Sequence, residues 1–258
     1  MIDLHFHLLP GIDDGPNSIE ESVALARAAA AAGTKTILAT PHVNSRTRNE
    51  SHAIASLVGQ MNERLAAEGV GLEVRPGAEI AITSISELAD GELDRLALGG
   101  SRWLLVEPPF TPVAPGIEAA IFELRREGRE VMLAHPERCP ALQREPDMLR
   151  RLASAGVLMS LTAGSLVGRF GGEVRRFAMQ LASDGLMHNV ASDAHDLERR
   201  PPGMAEEIER AGLGVLRGWL TEDVPAAMLA GAPIPAAPAL PPPAPKGRLA
   251  AWRLRRAS

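Results

Sequence analysis

The sequence predicts an α/β fold: a mostly parallel sheet covered by helices and drawn into a closed or nearly closed barrel. Short apolar runs alternate with helical stretches along the chain, the pattern of strand–helix–strand crossovers. Seven such runs occur, near 2–7, 35–40, 72–78, 102–107, 130–134, 157–162 and 187–192. That number suits a barrel better than an open sheet. The chain has 258 residues and is 45% hydrophobic, enough for one substantial core.

The elements follow in order. In Ile2-Asp3-Leu4-His5-Phe6-His7, alternation places Asp3, His5 and His7 on one face and Ile2, Leu4 and Phe6 on the other. A helix over 18–32 begins with Ser18 and Glu21 as a capping-box pair and stops at Gly33. The second run leads through Thr40-Pro41 to His42, and a helix over 50–68 follows. The third, Val74-Arg75-Pro76-Gly77-Ala78, leads to Glu79; the fourth, Trp103-Leu104-Leu105-Val106, to Glu107. After a helix over 116–127, Val131-Met132-Leu133-Ala134 ends at His135. Helices over 146–155 and 172–184 flank the sixth run, and the seventh leads to Asp193-Ala194-His195 ahead of a helix over 203–212.

Residues 1–231 read as one domain. Residues 232–245 are Pro/Ala-rich and read as a semi-extended linker. The last stretch, 246–258, sets Lys246, Arg248, Arg253, Arg255 and Arg256 around Leu249, Trp252 and Leu254. It reads as a disordered solubilising tail, with a short basic amphipathic helix docking on acidic lipid or a partner as the alternative. A net charge of −5 argues against a general nucleic-acid binder. The single cysteine, Cys139, permits no internal disulfide and is compatible with a reducing compartment. No apolar run has transmembrane length and no signal peptide precedes the first strand, so the chain reads as cytoplasmic, peripheral to the inner face of the membrane if the tail docks there. Aromatics are 3% and tyrosine is absent, so the core is aliphatic and the chain has no tyrosine of its own to be phosphorylated.

The chemistry-bearing side chains share one placement. His5, His7, His42, Glu79, Glu107, His135, Asp193 and His195 all stand at or just beyond the ends of apolar runs. In α/β barrels those ends form the active-site face, so one mouth would collect them. Mixed histidine and carboxylate donors without a thiolate favour Mn, Fe or Zn. Metals held close together clamp a phosphoryl group and make hydroxide available at neutral pH. His52 reads as solvated and His188 as packed inside the last strand. Arg138 and Arg200 follow His135 and His195 closely and are candidates for bidentate phosphate binding. Arg46 and Arg48 lie just beyond His42, where they either reach a phosphopeptide or are solvated loop charges. A cysteine-phosphatase mechanism is excluded: only four residues separate Cys139 from Arg144, one fewer than in the phosphate-cradling loop of that class.

Asp3-Leu4-His5-Phe6-His7 followed by Leu9-Pro10-Gly11-Ile12-Asp13-Asp14-Gly15 resembles the opening of the polymerase-and-histidinol-phosphatase superfamily. Within it the chain is most similar to the bacterial capsule- and exopolysaccharide-type metal-dependent tyrosine phosphatases. The similarity rests on Ala39-Thr40-Pro41-His42, Gly77-Ala78-Glu79, Ala134-His135-Pro136-Glu137-Arg138, Ala191-Ser192-Asp193-Ala194-His195 and Arg200-Pro201-Pro202, in that order. It runs from residue 1 to about residue 230 and leaves out the tail. The resemblance implies a distorted, TIM-like seven-stranded (βα)7 barrel with three metals, commonly manganese, with iron or zinc as alternatives. His5, His7, Glu79 and Asp193 would hold the first; Glu79 would bridge to a second with Glu107 and His135. Asp14, His42 and His195 would hold the third, with Asp13 open as the alternative to Asp14. Arg138 and Arg200 match the family's arginine positions. The implied activity is phosphomonoester hydrolysis by metal-activated hydroxide, with a phosphotyrosine protein as substrate, a bacterial tyrosine kinase of polysaccharide export. The alternatives are a small-molecule phosphatase acting on a substrate such as histidinol phosphate, and a non-catalytic partner protein stabilised by its metals.

Overall fold

Strand β1 (Ile2–Phe6) seats Leu4 and Phe6 in the core without exposure. The structure, a computed structural model, describes residues 1–239. Helix α1 (Ile19–Ala31) begins where the capping pair predicts, the Ser18 hydroxyl accepting the Glu21 N–H at 3.2 Å. Then come β2 (Thr36–Ala39), β3 (His42–Val43), α2 (Ser51–Ala67), β4 (Glu73–Pro76), β5 (Glu79–Ala81), α3 (Asp90–Arg95), β6 (Trp103–Glu107), α4 (Ile117–Arg126) and β7 (Glu130–Ala134). They are followed by α5 (Pro140–Arg144), α6 (Pro146–Ser154), β8 (Leu158–Thr162), α7 (Ala163–Leu166), α8 (Gly172–Ser183), β9 (Asn189–Ala191), α9 (Ala205–Arg210) and α10 (Val224–Ala230). The short helices α3, α5, α7 and α10 carry too few residues for an apolar period to show in the sequence.

Every strand pairing is parallel. The strands form a three-stranded sheet, β1-β2-β4, and a six-stranded sheet, β3-β5-β6-β7-β8-β9. Where the sequence predicts seven runs, nine strands stand among the described residues, because the second and third runs are broken. Pro41 has no N–H to continue the ladder between β2 and β3. Gly77 sits between β4 and β5 against Leu98 and Thr40, where an added Cβ would lie 3.0 and 3.3 Å from their side chains. Each broken run thus serves both sheets, and the Glu79 N–H donates to the Pro41 carbonyl at 3.1 Å across the break. At the far edges, the His7 N–H donates to the Ala194 carbonyl and the Asp193 N–H to the His5 carbonyl, both at 3.0 Å. These bonds join β1 to the chain just beyond β9.

Strands buried on both faces explain the unbroken apolar runs. Leu104, Leu105 and Val106 of β6 and Val131 to Ala134 of β7 are all buried. Helices supply one apolar stripe each: α4 buries Ile117, Ile121 and Leu124. Burying a Leu or Ile side chain contributes about 1.5–3 kcal/mol, so Ile121→Ala would leave a cavity beneath β7. At the start of the linker, the Trp219 indole N–H donates to the Pro235 carbonyl at 2.9 Å. Residues 240–258, with the whole of the basic tail and the rest of the linker, lie outside the described residues. Among the described residues no helix is long and apolar enough to cross a membrane.

Candidate metal centre

The strand ends converge as their common placement predicts. β1 delivers His5 and the adjoining His7, β3 His42, β5 Glu79 and β6 Glu107; His135 follows β7, and Asp193 and His195 follow β9. Among the described residues, His135 (φ 31°) and Asp193 (φ 53°) are the non-glycine residues with positive φ. Such a conformation costs about 1–3 kcal/mol and is held only where the surroundings fix it. Here the His135 N–H donates to the Ser160 carbonyl at 2.8 Å and the Asp193 N–H to the His5 carbonyl at 3.0 Å.

Glu79 is the hub, and it is buried. Its Oε2 lies 3.1 Å from His5 Nε2, 3.3 Å from His7 Nε2 and 3.0 Å from His42 Nδ1, while Oε1 lies 2.7 Å from His135 Nε2. Asp193 Oδ1 stands 3.4 Å from His5 Nε2 and 3.6 Å from His7 Nε2. Glu107 reaches to 3.9 Å from both His42 and His135. Asp14 Oδ1 is 3.4 Å from His42 Nε2 and 3.2 Å from His195 Nε2. The donors fall into overlapping groups: His5–His7–Asp193, His5–Glu79–His135, His42–Glu79–Glu107 and His7–Asp14–His42–His195, with the donor atoms of each within 4.8 Å of one another. Glu107 thus groups with His42 and Glu79, while His135, which the resemblance pairs with Glu107, groups with His5 and Glu79.

The chemistry of this set fits divalent cations. His5 Nε2 and His7 Nε2 face each other at 3.1 Å, so one proton at most sits between them and lone pairs are left over. His42 Nδ1, Glu79 Oε2 and His195 Nε2 are buried and, despite their close neighbours, make no hydrogen bond of acceptable geometry, the kind of exception that calls for a further binding partner. Burial, followed by the charge of Arg138, pushes His135 down to about 4, leaving it neutral and able to ligate. Burial, then the neighbouring Glu79 carboxylate, pushes Glu107 up to about 7, whereas the histidines around Glu79 hold its own carboxyl well below the usual range.

Around the cage, other groups hold the rings in place. His7 Nδ1 bonds Asp13 Oδ2 at 2.7 Å, and Asp13 also accepts the N–H of Gly15 (2.9 Å) and of His42 (3.2 Å). Asp13 and Asp14 therefore occupy different places, the first behind His7 and the second facing His42 and His195. Asp3 accepts the Ser192 N–H at 3.1 Å and the His5 N–H at 3.3 Å, tying β1 to the segment that carries Asp193, and burial pushes its carboxyl up to about 6. The alternation of β1 already put Asp3 on the histidine face; nothing local told that its partner would be Ser192.

Two arginines close over Asp193. Arg138 Nη1 donates to Oδ2 at 2.5 Å and Arg200 Nη2 to Oδ1 at 2.7 Å. The Arg138 guanidinium lies 4.4 Å from the centre of the Phe170 ring and 5.2 Å from that of Phe110. Glu137, buried, accepts the Thr162 N–H at 2.9 Å and the Ser165 hydroxyl at 2.7 Å, fixing the turn that carries Arg138. The aromatic neighbours and Glu137 escape sequence reasoning because each contact spans distant segments. Arg46 lines a cleft beside Glu107 and Phe110, whereas Arg48 lines a separate one with Glu50, Glu87 and Glu92. His52 is exposed beside Glu50, as its sequence context predicts; His188 does not lie inside the last strand but stands half-buried just before β9, its Nδ1 accepting the Met159 N–H at 3.1 Å. Cys139 is buried.

A parallel α/β scaffold with a strand-end cage of histidines and carboxylates, overlooked by arginines, defines a class of hydrolases that work through bound metals. The chain belongs to the CpsB/CapC family of capsular polysaccharide synthesis, whose profile matches residues 1–212. It is 38% identical over 201 residues to the tyrosine-protein phosphatase YwqE of Bacillus subtilis (strain 168), covering 78% of this chain and 79% of that one. It is 33% identical over 204 residues to the putative tyrosine-protein phosphatase CapC of Staphylococcus aureus, with coverages of 78% and 79%. A solved chain from the work on YwqE of Bacillus subtilis and CpsB of Streptococcus pneumoniae, unique metal-dependent tyrosine phosphatases, superposes with a TM-score of 0.82 at 33% identity. That match covers 92% of this chain and 97% of the other. The family is the one the sequence motifs resemble.

Proposed function

We propose that this protein is a metal-dependent protein-tyrosine phosphatase that dephosphorylates a bacterial tyrosine kinase of capsule or exopolysaccharide synthesis. The observation that carries this is the buried Glu79 hub, ringed by His5, His7, His42 and His135, with Arg138 and Arg200 converging on the adjoining Asp193. In this reading the cage would hold three cations, divided as the family resemblance implies: one with His5, His7, Glu79 and Asp193, one with Glu79, Glu107 and His135, one with Asp14, His42 and His195. Manganese is the first choice, with iron or zinc as alternatives, since the donors are nitrogen and oxygen only. Bound cations would supply Lewis acidity to the phosphoryl oxygens and lower the pKa of water.

The chain's own residues do the rest. Glu79 offers one carboxylate oxygen to His135's side of the cage and the other to His5, His7 and His42. Asp13 holds the His7 ring so that Nε2 faces inward. Arg138 and Arg200 present planar N–H pairs to the oxygens of a phosphoryl group, compensating the charge that spreads over them during in-line displacement. Arg46, in the cleft beside Glu107, is placed to meet an acidic peptide; Arg48 contributes at most from the neighbouring cleft.

The bonds between β1 and the chain beyond β9 support reading the two sheets as one distorted seven-unit (βα)7 barrel, TIM-like in plan. In this reading residues 1–231 are the phosphatase body and 232–258 a linker and basic tail, and the enzyme works in the cytoplasm, peripheral to the inner face of the membrane if the tail docks there.

Turnover of a phosphotyrosyl peptide against histidinol phosphate, by protein stripped of metal and reconstituted with Mn²⁺, tests the proposal. The expected result is metal-dependent peptide turnover that is lost in His135→Ala. Efficient turnover of histidinol phosphate with the peptide left untouched would move the protein to small-molecule metabolism.

A further inference from the structure

Aromatic side chains make up only 3% of this chain, yet one of them is left in the open beside the cage. Phe110, in the loop after β6, is 49% exposed. Its ring stacks on that of His135, with 5.4 Å between centroids and 24° between planes, and faces the Arg138 guanidinium at 5.2 Å. It also lines the cleft that holds Glu107 and Arg46. An exposed phenyl ring there gives up burial energy unless something apolar covers it.

The loop is built to hold that ring still. On one side of Phe110, the Cys139 thiol donates to the Pro109 carbonyl at 3.2 Å. On the other, Arg144 Nη1 donates to the Pro112 carbonyl at 3.0 Å, and the Thr111 hydroxyl donates to the Val113 carbonyl at 2.6 Å. Pro108, Pro109 and Pro112 restrict φ along the same stretch. Cys139 and Arg144, which have no part in a cysteine-phosphatase loop, here clamp the backbone on either side of Phe110.

We propose that Phe110 is a specificity-determining residue: the exposed part of its ring is the platform against which the aromatic ring of an aryl phosphate packs while the phosphoryl group enters the cage beside it. The proposal rests on the phosphatase reading and adds to it the reason for preferring phosphotyrosine over aliphatic esters. Offset stacking of two rings supplies the selectivity, and preorganisation by the clamps keeps its entropic cost low. The geometry gives a peptide access, since Phe110 stands at the rim and not at the bottom of the cage.

Binding of phenylphosphonate and methylphosphonate to the Mn²⁺-loaded full-length protein, measured by titration calorimetry, tests this without turnover, because neither ligand is hydrolysed. Wild type should prefer phenylphosphonate by about tenfold. Phe110→Ala should bring the ratio to within about twofold of unity with methylphosphonate affinity unchanged, and Phe110→Trp should keep the preference. A preference that survives Phe110→Ala, or that wild type lacks, overturns the proposal. So does equal weakening of both ligands, which would make Phe110 a support for Arg138 alone. If neither phosphonate binds wild type, the phosphatase reading itself fails and the proposal with it.

Discussion

His7 and Asp13 are joined by a 2.7 Å hydrogen bond between Nδ1 and Oδ2, both side chains being buried. Burial alone would lower the imidazole, but the Asp13 bond, seconded by Glu79, pushes His7 up to about 9. The bond fixes the tautomer and turns Nε2 toward Glu79, His5 and Asp193. Loss of such an orienting partner weakens metal affinity on the order of 10–100-fold. Asp13→Ala is therefore expected to lose metal to a chelator at correspondingly lower concentrations. Metal retention equal to wild type would show that His7 needs no such support.

Arg138→Lys and Arg200→Lys each keep a positive charge but lose the planar fork. Each is expected to lower kcat for a phosphotyrosyl peptide by about a hundredfold, the scale of losing one donor to transition-state charge. Metal content, measured on the same samples, should stay at the wild-type level. A lysine variant with wild-type kcat would assign that arginine to holding Asp193 alone.

The buried nitrogen and oxygen donors of the cage make stability depend on its cations. At a free metal concentration a hundred times the dissociation constant, binding stabilises the fold by about 2.7 kcal/mol. For a body of this size, chelation should then lower the melting temperature by roughly 5–10 °C, read by calorimetry with and without added Mn²⁺. Superimposable melts would argue that no metal binds the native cage.

His188 gives a pH dependence remote from the cage. Burial pushes it down to about 4 from an ordinary value of 6.5. The unfolded chain therefore binds a proton that the folded chain refuses: the stability is complete above pH 6.5 and is lost as pH falls toward 4. His188→Asn keeps an acceptor for the Met159 N–H and cannot titrate. Denaturant melts of the two proteins should diverge by on the order of 1–2 kcal/mol across that window, allowing for the ring's partial exposure. Parallel curves would mean that His188 is solvated when protonated.

Much of this site is legible in the chain because its donors belong to strand ends. An apolar run followed by His or Glu states both where a strand stops and what it presents, so His5, His42, Glu79, Glu107 and His135 could be named from order alone. The capping pair at Ser18 and Glu21 is equally local. The breaks at Pro41 and Gly77 are visible as residues, yet their effect on pairing is not, since only the neighbouring run shows that a broken strand can serve two sheets.

What the sequence determined by itself is the alternation of strands and helices, the candidate donor set and the family, all carried by short-range pattern and residue chemistry. What only the tertiary structure decided is who faces whom: Asp13 behind His7 while Asp14 faces His42 and His195, both arginines on Asp193, Phe110 over His135, Arg48 in another cleft. Those relations join segments up to 189 residues apart, as between Asp3 and Ser192. Local pattern cannot encode them, because they follow from how the whole core packs and which buried polar atoms must then find partners.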